Sequence, residues 1–159
     1  MPLYMEINDV KGSVSTQGFS GAILLHGMQQ QGSRVILQSP GMGTQREVGM
    51  PTLAHIRIIK SHDAASAQLR AHFCAGKSIE QVNIYQCILS KDSADWHAKT
   101  ILYNVIISSL QEMVNSDGGE EILELAYTKI EKGYRQQDAQ GQLLTPHITS
   151  YDITTASVA

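Results

Sequence analysis

Six histidines, two cysteines and one dense run near the C-terminus are the positions that could carry chemistry. The histidines stand at 26, 55, 62, 72, 97 and 147. Two histidines four residues apart would share a helix face and could hold a metal. No pair has that spacing, so they read as surface residues. Cys74 and Cys87 lack the CxxC spacing of a metal or redox site. Two reduced, largely buried thiols are expected, because unpaired cysteine behaves as a small hydrophobe. Spacing leaves a disulfide between them, or a Cys–His nucleophile pair, open but does not argue for either.

Other short signals fail on context. Gly41-Met42-Gly43 is followed by Thr44-Gln45-Arg46 and then Pro51, not by the Lys-Ser or Lys-Thr that a phosphate-binding loop carries into its helix. Gly18-Phe19-Ser20-Gly21 precedes a strand, whereas a nucleophile elbow needs the strand first and a helix after it. Glu120-Glu121 follows a turn and is expected to stay solvated. The dense run is YTKIEKGYRQQDAQG, residues 127–141. Its Tyr134, Arg135 and Asp138 invite a catalytic reading. A strand that bends at Gly133 and ends in an Asp138–Gly141 turn explains them equally, the aspartate bonding its own backbone. Nothing here requires an enzyme, a metal or a cofactor.

The elements that would position these residues are mostly short strands. Leu3, Met5 and Ile7 alternate with Tyr4, Glu6 and Asn8, the period of a half-buried strand. Strands are also expected at 22–26 (extending as far as 31), 33–38, 52–60, 80–89, 98–108, 121–132 and 148–153. Asn115–Gly119 is a strong turn signal between two of them. In the strand over 121–132, Leu123, Leu125 and Tyr127 share one face, and Ala126, Thr128 and Ile130 the other. One helix is expected, capped by Ser66 or Asp63, with Ala65, Leu69 and Phe73 forming an apolar stripe and Gly76-Lys77 ending it. Residues 39–51, SPGMGTQREVGMP, break the pattern as a long extended loop with Met42, Val48 and Met50 among glycines and prolines. A loop of that length gains most by ordering against a partner. The tail, 154–159, is expected to be loose. Eight or nine strands and one helix indicate a mostly β protein, a small closed barrel of two packed sheets with one flanking helix.

Composition bounds the function. A chain of 159 residues, 42% hydrophobic and 17% charged, is sized for a single domain over 1–159. A net charge of −3 lacks the basic face of a nucleic-acid protein. No apolar run approaches the roughly 18 residues of a membrane helix, and the start, MPLYMEINDVKG, does not resemble a secretory signal.

The segment 127–141 resembles the "F-T-K-I-E-x-x-Y…Q-D-A-D-G" pattern of Hcp (haemolysin-coregulated) proteins, the tube subunit of type VI secretion. LYNVIISS (102–109) is similar to that family's "L-x-N-V-I-V-S-S" strand, KSHDAASAQLRAHFCAGK (60–77) to its helix, and MEINDVKGSV (5–14) to its first strand and turn. The matches keep their order over nearly the whole chain. There are departures: HGMQQQ (26–31) stands where aromatics are usual, Arg135-Gln136 where a proline is common, and Tyr151 where a tryptophan is common. The resemblance implies a homohexameric ring stacked into a tube, within a contractile sheath and behind a spike, carrying effectors in its lumen. It implies a bacterial protein that is cytoplasmic before firing and then secreted into the medium or a target cell. It also implies that the strand matching 23–31 lines the channel, which makes Gln29 and Gln31 the cargo candidates. Met42, Thr44, Gln45, Arg46, Glu47 and Val48 are the candidates for contact with a neighbouring subunit or ring. The rival reading is a monomeric barrel holding a small ligand, or a hydrolase on such a barrel. A barrel this small is normally filled by its own side chains.

Overall fold

Strand-forming residues bounded by turns give, in the computed structural model, twelve strands and one helix over the described residues, 1–89 and 93–159. In chain order they are β1 (Leu3–Glu6), β2 (Ile23–Leu25), β3 (Gly27–Gln29), β4 (Gly32–Gln38), β5 (Arg46–Leu53), β6 (Ile56–Ser61), α1 (Ser66–Ala75), β7 (Ile79–Leu89), β8 (Ala94–Asn115), β9 (Gly118–Ala126), β10 (Lys129–Tyr134), β11 (His147–Asp152) and β12 (Ser157–Val158). The protein is mostly β with one short helix, as composition and turn spacing indicate.

β8 is the spine. At 22 residues it is far longer than a usual strand, because its two halves serve different partners. Ala94–Val105 pairs with β7, and β10 takes its other edge. Ile106–Asn115 pairs with β9 across the turn at Ser116-Asp117, where Asn115 Oδ1 accepts from Asp117 N–H at 2.9 Å. The path runs from β8 through β7 and β1 to β2, and separately from β8 through β9 and β6 to β3. The two arms meet where β2 passes through His26 into β3, and His26 N–H donates to Ile59 O at 2.7 Å. The circuit therefore closes by chain continuity, not by an unbroken ladder, at strands that switch between layers. β4 and β5 form a separate two-stranded sheet.

Inside lie Met5, Ile7, Val10, Ile23, Leu25, Ile56, Ile58, Val82, Ile84, Leu102, Val105, Leu123 and Leu125, a continuous aliphatic core. α1 lies over β8 and lends it Leu69 and, in part, Phe73. The expected stripe is present, and Gly76, at φ 62°, donates to His72 O and Phe73 O as the C-cap. The expected side-chain cap is not. Ala65 stands at the N-cap position, while Asp63 Oδ1 accepts from Ala65 N–H and Ser66 Oγ from Asp63 N–H, which closes the turn before the helix instead.

Several expectations based on strict alternation are corrected. β1 is buried on both faces, since the segment 12–22 folds over Tyr4 and forms a second cluster with Phe19, Ala22, Cys87 and Ala94. The span 121–132 is two strands, and the break at Tyr127-Thr128 resets the alternation so that Leu125, Tyr127 and Ile130 are all buried. The register shift between Gln86 and Cys87 places its extra residue, His97, in β8, and Cys87, on the Tyr85 face of β7, is buried because the second cluster covers that face too. Gly133 makes no bend. It lies within β10, and a Cβ there would meet the Lys99 side chain at 2.9 Å, so glycine gives the lysine stem room. Residues 39–51 are not an unstructured loop, since Arg46 onward pairs with β4. Residues 154–159, expected to be loose, turn back and pair β12 with β11, with Ala159 N–H donating to Ser150 O at 3.0 Å.

Candidate functional site

The hairpin β4–β5 stands away from the core. Ile36 opposes Val48, Leu37 opposes Glu47 and Gln38 opposes Arg46, and a bulge near Gly49 and Met50 accommodates the extra residue of β5. The tip, 39–45, is two successive turns, Met42 N–H to Ser39 O and Gln45 N–H to Met42 O, with Gly41 and Gly43 at positive φ. Met42, Thr44 and Gln45 thus occupy the tip, and Arg46, Glu47 and Val48 begin the returning strand, so the six contact candidates form one continuous surface. Val35, Ile36, Leu37, Met42, Val48 and Met50 are all exposed, Met50 at 72%. Among the described residues both outer edges of this two-stranded sheet are unpaired. An isolated hairpin is only marginally stable in water, and one that also exposes six large apolar side chains is built to be covered.

At the base of the hairpin lies a shallow groove of about 450 Å³ lined by Gln29, Gln31, His55, Arg57 and Glu124, among others. Gln29 opposes Arg57 across β3–β6. Gln31 holds the strand entry through its carbonyl, which accepts from Ala54 N–H at 2.9 Å. Both glutamine side chains are exposed. The two candidate groups therefore adjoin, but they are distinct surfaces: one apolar and projecting, one polar and recessed.

The remaining chemical candidates resolve individually. Four histidines are exposed, while His72 and His97 are half-buried. Both cysteines are free; Cys74 is exposed on α1, against expectation, because it lies off the Ala65–Leu69–Phe73 stripe. Cys87 is buried, and burial, reinforced by Asp95 and Glu6, pushes its thiol up to about 11. A thiol so protonated is a poor nucleophile. Arg135 lies over the Trp96 ring at 4.0 Å and donates to Trp96 O at 3.0 and 2.6 Å and to Asp95 Oδ1. It clamps β10 to the start of β8. Asp138 Oδ1 accepts from Gln140 and Gln142 N–H, and Gly141 sits at φ 80°, the expected turn. The dense run is therefore architecture.

One constellation had no spacing signal. His62, Glu112 and Glu121 come from separate elements, and their donor atoms lie within 4.8 Å of one another.

Two motif segments meet at one point. Asn104, in 102–109, bonds Thr128, in 127–141, where β8 changes partners. The family described as "Type VI secretion system effector, Hcp" matches residues 4–134. The chain belongs to the Hcp family. Its fold is similar to that of "a type six secretion system protein" (TM-score 0.87, 20% identity, 99% of each chain covered). It is also similar to Hcp1 from Salmonella typhimurium (TM-score 0.76, 14% identity, 99% of this chain and 98% of that one). A third likeness is to secreted protein Hcp3 from Pseudomonas aeruginosa (TM-score 0.62, 18% identity, 95% and 97% covered). No curated protein sequence matches significantly. Hcp proteins are a structural family of type VI secretion, so this chain is placed in the context of that machinery and of secretion. Among the described residues no helix is long and apolar enough to cross a membrane.

Proposed function

We propose that this Hcp protein is a tube subunit that acts by assembly and not by catalysis. Six copies close a ring, and rings stack into a tube inside a contractile sheath, with a spike at the tip. Effectors travel in the ring lumen, the protein waits in the bacterial cytoplasm, and firing delivers it outside or into a target cell. The observation that carries the reading is the detached hairpin β4–β5, with both edges open among the described residues and six large apolar side chains exposed. Each such side chain contributes about 1.5–3 kcal/mol when fully buried, so covering even part of the hairpin favours association.

Met42, Thr44, Gln45, Arg46, Glu47 and Val48 supply the contact with the adjoining subunit or ring. Gln29 and Gln31 face the cargo, offering donors and acceptors without fixed charge, which suits varied passengers. Native mass spectrometry of the purified protein at near-physiological salt tests the reading. A six-subunit assembly supports it; a strict monomer over a wide concentration range would overturn it and favour an independent ligand-binding barrel.

A further inference from the structure

We propose that His62, Glu112 and Glu121 form a binding site for a divalent transition-metal ion of the zinc class. The site does not depend on the tube reading. Glu112 in β8 and Glu121 in β9 are direct cross-strand partners, and like charges so placed oppose the pairing unless a cation lies between or beside them. Each has a cationic neighbour, on the oxygen away from His62 in Glu121 but on the His62-facing Oε2 in Glu112. Lys60 Nζ donates to Glu121 Oε2 at 2.6 Å, and Ser66 Oγ donates to the same oxygen at 3.0 Å. Glu112 is bound by Arg70. Glu121 is 98% buried by side-chain area, yet among the described residues its Oε1 has no hydrogen-bond partner, and it faces His62 Nε2 at 3.8 Å. Glu112 Oε2 lies 3.8 Å from the same nitrogen. Lys60, Arg70, Asp63, Glu112 and Glu121 sum to two positive and three negative charges, a local −1 that a divalent ion reverses.

The imidazole is positioned before any ion arrives. Its backbone N–H donates to Gly119 O at 3.2 Å, and its ring fills the space above Gly119, where a Cβ would lie 2.7–2.8 Å from three ring atoms. Lys60 and Ser66 fix the orientation of Glu121 as outer partners. One imidazole and two carboxylates suit zinc, with the fourth tetrahedral position left to water. Zinc–ligand bonds of about 2.0–2.2 Å place neighbouring donors roughly 3.4 Å apart, so the 3.8 Å separations need to close by only a few tenths of an ångström. His62, 39% exposed, has room for that movement, and Glu112, 33% exposed, makes it together with its partner Arg70, itself 48% exposed.

The test is calorimetric titration of the full chain, carrying Cys74→Ser to remove the exposed thiol, with zinc chloride in a non-chelating buffer. One ion per chain is expected, with affinity falling at least ~10-fold in Glu112→Gln and saturable binding lost in His62→Ala. Glu121 is left intact, since its removal would strand Lys60. Absence of saturable binding, or equal affinity in His62→Ala, would overturn the proposal. Should His62→Ala fail to fold, cobalt(II) added to the unsubstituted chain decides by NMR. The His62 ring signal broadening before those of the other five histidines supports the site, and another histidine broadening first overturns it.

Discussion

Asn104 Nδ2 donates to Thr128 Oγ1 at 3.1 Å and so ties the turning point of the central strand to the break between β9 and β10. Asn104 stands at φ 51°, one residue before β8 ends its pairing with β7. Thr128 gives both its N–H and its hydroxyl to Tyr103 O, at 3.0 and 3.3 Å, and its carbonyl accepts from Ile153 N–H at 2.8 Å. Two motifs that carry the family resemblance thus meet at a single joint, and their residue types are those the joint requires. Asparagine is among the few residues that tolerate positive φ, and threonine offers a short hydroxyl beside its own N–H.

Replacement of Asn104 separates these two roles. Asn104→Ala loses the side-chain bond, about 1 kcal/mol, and meets the left-handed penalty of about 1–2 kcal/mol. Asn104→Gly loses only the bond and relaxes the backbone. Urea unfolding should rank wild type above Gly above Ala; an alanine variant as stable as the glycine one would rule out strain at the joint.

Lys60 is fully buried against Glu121, with Asp63 Oδ1 also 3.0 Å from its ammonium. Lys60→Met strands Glu121 in the interior and should cost about 3–5 kcal/mol. Adding Glu121→Leu should recover much of that loss, because no buried charge then remains. A double variant as unstable as the sum of the two singles would show that the pair is not coupled.

The two thiols should differ sharply. At pH 8 a disulfide reagent should titrate Cys74 at once and Cys87 only on unfolding. The folded Cys87 thiol titrates at about 11 against an ordinary 9.0. The folded state therefore holds this proton more tightly than the unfolded one. Its contribution to stability is fully present below about pH 9 and is lost as pH rises through 11. Cys87→Ala should flatten the unfolding midpoint over that window relative to wild type; an identical slope in both would show that another group sets it.

Truncation of the hairpin tip, Met42–Val48, removes surface and no core residue. The stability of the rest should change by no more than about 0.5 kcal/mol. Tube length, measured by electron microscopy, should collapse. Val35→Ser with Met50→Ser should act the same way with the backbone intact. Full-length tubes from both variants would remove the hairpin from the assembly.

The parts of this protein that were legible in its sequence are those decided within a few residues of themselves. Period-2 alternation announced the β class. The 65–69–73 stripe and Gly76 announced the helix and its end, and NSDGG and DAQG announced their turns, because such signals depend on local backbone preference and on which side chains share a face. Four ordered motifs announced the family. Tertiary structure alone decided the rest. Alternation reports a face only while a strand is unbroken and does not say what covers that face, so the break at Tyr127-Thr128 and the second cluster over Cys87 buried residues that no count could assign. Residues 39–51 resembled a loop because Gly49 and Pro51 hide a strand that exists only by pairing with β4. Tyr4 looked solvent-facing until the segment 12–22 folded across it. His62, Glu112 and Glu121 lie 50 and 9 residues apart along the chain. They meet because β6 and β8 each pair with β9, and contact across a sheet depends on register rather than on distance along the sequence.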